Sequence, residues 1–267
     1  MDKKSLKHRL LDHFKPGFFL TKITRRADIL ALLQSLHPVV TEHPLIRIGP
    51  AGDGGYLVPD DLEGIKACFS PGVSTSSDFE LDCAERGMQI YLADYSVDGP
   101  ATQHPNFHFK KKFVGATTSE IFMTMADWVA QSGIPQEADL LLQIDIEGHE
   151  YETFLSMPDE LVGRFRIIVV EFHRLHQLWS LPFFRLGSSV FKKLLQTHAC
   201  VHLHPNNCRN SIYLQGIDIP RVMEFTFLRR DRFSQSGFAS KFPHPLDSEN
   251  TKNVPLPLPR NWYKEVA

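Results

Sequence analysis

The residues best equipped for chemistry fall in three short runs. They are Asp145-Ile146-Glu147-Gly148-His149-Glu150, Glu171-Phe172-His173 and His202-Leu203-His204-Pro205-Asn206-Asn207. The first two close apolar, strand-like stretches and the third lies in one, so three neighbouring strand ends would offer carboxylates, imidazoles and amides to one cleft. Alternation along a strand puts Asp145 and Glu147 on one face, and likewise Glu171 and His173, if the strands extend that far. Such a set suits general-base catalysis, or a divalent cation held by oxygen and nitrogen donors. The plainer alternative is a hydrogen-bonded polar rim that binds no metal.

Upstream, Ser70-Pro71-Gly72-Val73-Ser74-Thr75-Ser76 is a small-residue turn running into a helix. Small side chains let the backbone approach a ligand, and a helix N-terminus favours an anion. Ser77 and Glu80 have the spacing of a capping box at that helix start. Asp94 follows the next strand, 22 positions after Gly72. A carboxylate at that distance can accept hydrogen bonds from ribose hydroxyls, which suits a nicotinamide dinucleotide or S-adenosylmethionine. The turn lacks the full glycine fingerprint for a pyrophosphate, which makes a dehydrogenase the weaker choice. Gly49 to Pro59 is rich in glycine and reads either as a hairpin turn or as a loop folding over a ligand.

These groups need elements to hold them. Strands are expected at Lys66–Ser70, Gln89–Asp94, Phe107–Val114, Asp139–Asp145, Phe165–Glu171, Val201–His204 and Arg221–Leu228. Helices are expected at Asp78–Arg86, about Ser119–Gln131, Glu150–Ser156 and Phe184–His198. Near-continuous apolar strands separated by helices imply a doubly wound α/β domain with a mostly parallel sheet covered on both faces. The last two strands are joined by a polar stretch, Pro205 to Pro220, which suggests an antiparallel pair at one end of the sheet. Residues 1–44 read as a helical N-terminal extension, 45–233 as the α/β domain, and 234–267 as a proline-rich arm with little core of its own.

The chain has 267 residues, 42% hydrophobic and 22% charged, with 31 acids against 29 bases. That balance excludes a global electrostatic funnel for nucleic acid and argues against a polybasic membrane anchor. Apolar runs such as Ile167 to Val170 are far too short to span a bilayer, and no signal-peptide pattern follows the basic start. Four dispersed cysteines with no C-x-x-C pair fit a reducing cytoplasm. Lys110-Lys111-Lys112 and Arg229-Arg230-Asp231-Arg232 read as solvated faces, or as steering for an anionic substrate.

The run Leu141 to Glu152 resembles the strand-four signature of the FkbM-like S-adenosylmethionine-dependent methyltransferases, with Gln143 where lysine is common. Val170-Glu171-Phe172-His173, Asp53-Gly54-Gly55-Tyr56, Phe69-Ser70-Pro71-Gly72-Val73 and His204-Pro205-Asn206-Asn207 are consistent with it. The resemblance covers about residues 45–230; its departure is in the first glycine motif, where Ser70 and Ser74 stand. It implies a class I, Rossmann-like methyltransferase fold with seven strands and an antiparallel last one. It further implies O-methylation of a sugar, glycan or small-metabolite hydroxyl with S-adenosylmethionine. On this reading Gly72, Ser74 and Asp94 hold the cofactor, with Tyr95 and Ser96 near the adenine or ribose. His173 is the first candidate base, with Asp145 or His204 next; Asp145, Glu171 and His204 are the ligands if a Mg²⁺- or Mn²⁺-like ion clamps a diol. A metal-dependent, phosphoesterase-like hydrolase and a non-catalytic nucleotide-binding protein are the rival readings. A homo-oligomer stays open.

Overall fold

The computed structural model describes residues 21–73 and 76–264. Seven strands form the central sheet: β1 (Ala67–Pro71), β2 (Gln89–Ala93), β3 (Phe107–Lys110), β4 (Leu140–Ile144), β5 (Phe165–Phe172), β6 (His198–Pro205) and β7 (Met223–Arg229). Their spatial order is β3-β2-β1-β4-β5-β7-β6. All pairings are parallel except those of β7, which runs antiparallel to both β5 and β6. The last two strands do form an antiparallel pair at one end of the sheet, with β6 outermost.

Among the described residues, six helices flank it: α1 (Arg26–Ser35), α2 (Asp78–Glu85), α3 (Met125–Gln131), α4 (Glu150–Ser156), α5 (Asp159–Arg164) and α6 (Leu181–Thr197). Strand β5 explains the layering. Its side chains alternate between faces, and every residue is buried. Ile168, Val170 and Phe172 join a core with Phe154 of α4 and Phe191 of α6. Ile167 and Val169 face a second core with Phe79 of α2 and Val58. Phe172 stacks edge-on against Phe191 and Phe225, with ring centroids 4.8 and 5.4 Å away. Truncating it to alanine should cost about 3–5 kcal/mol.

Several expectations change. Residues 119–124 are not helical: Phe122–Met123 pairs in parallel with Phe113–Val114, and helix α3 begins only after Thr124. The Thr124 hydroxyl caps it, accepting from Asp127 N at 3.1 Å. Strand β3 accordingly stops at Lys110. The capping box at α2 does not form. Ser77 makes no side-chain cap, and Glu80 turns inward to the Ser70 hydroxyl. The glycine-rich segment is a hairpin, with Leu45–Ile48 antiparallel to Tyr56–Pro59. A small hairpin, Ile212–Leu214 with Ile217–Ile219, fills the connection between β6 and β7.

The arginine cluster is structural. Arg229 pairs with Asp139, and Arg232 holds Asp61 through two 2.8 Å hydrogen bonds. Both lie at the β4 entry end of the sheet, opposite Asp145. Lys110, Lys111 and Lys112 reach Gln131, Asp98 and the Ser119 carbonyl. After β7, the chain packs back on the domain: Trp262 is fully buried and donates from Nε1 to the Asp218 carbonyl at 3.0 Å. No helix among the described residues is long and apolar enough to cross a membrane.

Candidate active site

The site begins where β1 and β4 end. Gly72 has φ +98°, and a Cβ built there would stand 1.7 Å from the Asp145 carbonyl oxygen. Only glycine permits this close approach of the two strand ends. Two cavities open on either side of it, and both are lined by Gly72 and Asp145.

The larger cavity, about 310 Å³, runs from Asp94 and Ser96 past Phe113, Val114 and Phe122 to Asp145, Glu147 and His149. Asp94 is held rigidly. Its Oδ1 accepts from Ser96 N and Oγ, both at 2.6 Å, and its Oδ2 from Val73 N at 3.2 Å. A carboxylate has about four lone-pair sites, and these donors fill three of them. Tyr95 is 41% exposed, its ring centroid 5.5 Å from Phe113. Ser74 lies outside the described residues. The smaller cavity, about 30 Å³, is lined by Asp53, Asp78 and Glu80 among others. Beneath it, Ser70 Oγ lies 2.6 Å from Gln143 Oε1 and also contacts Glu80. Burial raises the Glu80 pKa. One hydroxyl hydrogen cannot serve two acceptors, so the trio is satisfied when Glu80 keeps its own proton.

At the ends of β4 and β5, carboxylates converge on His173. Its Nδ1 stands 3.1 Å from Glu150 Oε1. Glu150 is fully buried, at the start of α4, and the same oxygen accepts from Gly148 N at 2.9 Å and Ile146 N at 3.3 Å. Because a carboxylate only accepts, Nδ1 carries the hydrogen. His173 Nε2 then faces Glu147 Oε2 and Glu171 Oε1 at 3.4 Å each, and Asp145 Oδ1 at 3.9 Å. Glu147 and Arg174 both adopt left-handed backbone, φ +57° and +59°, a conformation that costs of order 1–3 kcal/mol and clusters at functional sites.

Electrostatics follow from this crowding. Burial pushes Asp145 up to about 7; His173 pulls it down, but Glu150 and Glu147 push with the burial. Glu171 is raised by burial and by Asp145, despite a 3.0 Å hydrogen bond from Asn206. Burial alone would lower His173, but Glu150, Asp145 and Glu147 outweigh it and raise the imidazole.

The structure brings Asp145, Glu171 and His173 together, with one donor atom from each within 4.8 Å of the others. His204 is not in that group. It lies on β6 beside Asp247, Nδ1 to Oδ2 3.7 Å, while His202 bonds Asp247 at 2.8 Å. Sequence reading gave no role to Glu150, Phe113 or Phe122. Glu150 was visible as the third acid in the run after β4; no local pattern marks the two phenylalanines.

A strand order of 3-2-1-4-5-7-6 with an antiparallel seventh strand, and a cavity at the carboxyl ends of β1, β2 and β4, defines a class I methyltransferase-like fold. The match to known families agrees with it. Residues 84–238 match the family described as the methyltransferase FkbM domain, and the chain belongs to that family. The matched stretch holds Asp94, Asp145, Glu171 and His173, whereas Gly72 precedes it. No curated protein matches the chain.

Proposed function

We propose that the protein is an S-adenosylmethionine-dependent O-methyltransferase acting on a hydroxyl of a sugar, glycan or small metabolite. The observation that carries this reading is the cavity joining the Asp94 carboxylate to the Asp145–Glu147 corner. The Asp94 carboxylate lining this cavity suits a ribose hydroxyl, and Phe113, Val114 and Phe122 suit an adenine ring. The acidic lining of the smaller cavity, with Asp53 and Asp78, suits the ammonium of the methionine end. Gly72, Asp94 and Ser96 are the proposed cofactor contacts, with Tyr95 at the mouth.

When bound, the cofactor supplies an already electrophilic methyl group. The chain must align the acceptor oxygen and take its proton. We assign that proton to His173 Nε2. Glu150 holds the other ring nitrogen protonated, and Asp145 stands close enough to support the charge that forms. The four cysteines carry free thiols, which supports a reducing compartment such as the cytoplasm.

A specific observation favours a second role for the same corner. Asp145 Oδ1 is buried without a hydrogen-bond partner, and Asp145, Glu171 and His173 offer oxygen, oxygen and nitrogen donors. These three, rather than a set including His204, would hold a Mg²⁺- or Mn²⁺-like ion, which would lower the acceptor hydroxyl's pKa. That role would displace His173 as base.

Calorimetric titration with S-adenosylhomocysteine, after chelator treatment, tests the first reading. Saturable micromolar binding is expected, weakened about tenfold or more by Asp94→Ala. Absence of binding would sink the cofactor assignment. Turnover that is lost with chelator and restored by Mn²⁺ would move the metal reading to the front.

A further inference from the structure

A third cavity, about 550 Å³, opens beyond His173 and is lined by Glu147, His173, Arg174, His176, Arg209 and Arg221. Glu147 also lines the proposed cofactor cavity, so the two meet at the corner where the methyl group would be delivered. The third cavity stands on the acceptor side of that corner.

Its chemistry is cationic. Arg174, Arg209 and Arg221 bring three guanidiniums to it, and among the described residues none of them is ion-paired with a carboxylate. Elsewhere Arg166, Arg229 and Arg232, buried or half-buried, are tied to Asp61 or Asp139. Arg174 is placed with care. It sits on left-handed backbone directly after His173, and its guanidinium passes over Gly148, where a Cβ would stand 2.9 Å from Nε. Arg221 Nη1 lies 3.1 Å from His176 Nε2. A guanidinium only donates, so His176 is neutral with its hydrogen on Nδ1, a buried atom with no partner among the described residues. Forked guanidiniums match the oxygens of a phosphoryl group, which they grip in bidentate fashion.

We propose that this cavity binds a phosphate ester or diphosphate carried by the methyl acceptor, with Arg174, Arg209 and Arg221 as the anion's donors. The inference rests on the methyltransferase reading and narrows its substrate to a phosphorylated hydroxyl compound. The arginines set substrate specificity, while His173 stands between them and the cofactor cavity.

The test titrates the purified full chain with pyrophosphate, and separately with malonate, at about 150 mM salt so that unspecific attraction is screened. S-adenosylhomocysteine is titrated into every preparation. Pyrophosphate should bind saturably, and R174Q, R209Q and R221Q should each weaken it about tenfold. R230Q, exposed and at the opposite end of β7 from Arg221, should leave it unchanged. Cofactor-product binding should persist in all variants, which certifies their fold; should R221Q fail that check, the exposed R174Q and R209Q carry the test. Wild-type protein that binds S-adenosylhomocysteine but not pyrophosphate overturns this inference alone. So does pyrophosphate affinity unchanged in the arginine variants. Tighter binding of malonate would also overturn it, in favour of a carboxylate-bearing acceptor. Wild-type protein that fails to bind S-adenosylhomocysteine overturns the reading beneath it.

Discussion

His173 Nδ1 and Glu150 Oε1 stand 3.1 Å apart, and Glu150 is completely buried while His173 borders the arginine-lined cavity. The pair therefore fixes both the tautomer and the direction of the exposed ring nitrogen. Glu150→Gln keeps the shape but lets an amide N–H meet the ring, so turnover should fall about 10²-fold with little change in acceptor KM. The pH profile gives the sharper readout. Deprotonated His173 is the active form, and Glu150 helps raise its pKa. Removing that charge should move the acid limb of kcat/KM to lower pH. An unmoved limb would show that a different group is titrating.

Asp145 and Asp94 should separate chemistry from binding. Asp145→Asn should lower turnover by about 10²-fold or more while sparing S-adenosylhomocysteine affinity, because its side chain faces His173. Asp94→Ala should do the reverse, weakening the cofactor product chiefly. Parallel calorimetry and steady-state rates check both. Equal loss of the two properties in Asp145→Asn would remove it from the chemical step.

Gly72 offers a stability test with an internal control. Gly72→Ala combines left-handed backbone with a Cβ 1.7 Å from a carbonyl oxygen, and should cost at least about 3 kcal/mol in urea unfolding. Gly87 has a similar φ of +87° but nothing within 4 Å of its Cβ position. Gly87→Ala should cost only about 1–2 kcal/mol. Similar losses would mean that the β1 and β4 ends separate easily.

Glu224, on β7, predicts a pH slope. Burial pushes its carboxyl up to about 7, although His204 and the 2.6 Å hydrogen bond from Asn250 pull it down. In the unfolded chain it titrates near 4.5. Between those values the folded state binds more protons than the unfolded one, so stability from this group is present below about 4.5 and falls as pH rises through about 7. Glu224→Gln should gain on the order of 2–3 kcal/mol over wild type between about pH 5 and about pH 8. A constant difference across that range would mean that Glu224 does not titrate there.

Much of this arrangement was legible in the sequence because it is periodic. The β4 and β5 runs are apolar enough to be central strands, and their polar ends mark the cleft. Asp94 was recognisable by its distance from Gly72. What escaped depends on contacts between distant residues. Ser77 and Glu80 carry a capping spacing, but Ser70, ten positions back, captures the Glu80 carboxyl inside the protein. His204 was grouped with Asp145 because both lie near strand ends. In the fold β7 separates β6 from β5, and Asp247, from a segment read as having little core, sits beside His204. No spacing rule links residues so far apart.

That segment has a consequence for how the chain is made. Asp247 joins His202, Asn250 joins Glu224, and the Thr251 backbone N–H and hydroxyl both reach Asn207 Oδ1. Burial opposes charge on Asp247, but His202 and His204 outweigh it and hold its carboxyl well below the usual range. These partners are synthesised after every strand of the sheet. Until they leave the ribosome, the outer edge of the sheet carries buried polar groups without partners. Strands β1 to β5 can assemble before this segment has been made, but β6 and β7 can lock only once it has emerged, so the nascent protein waits on it to finish folding.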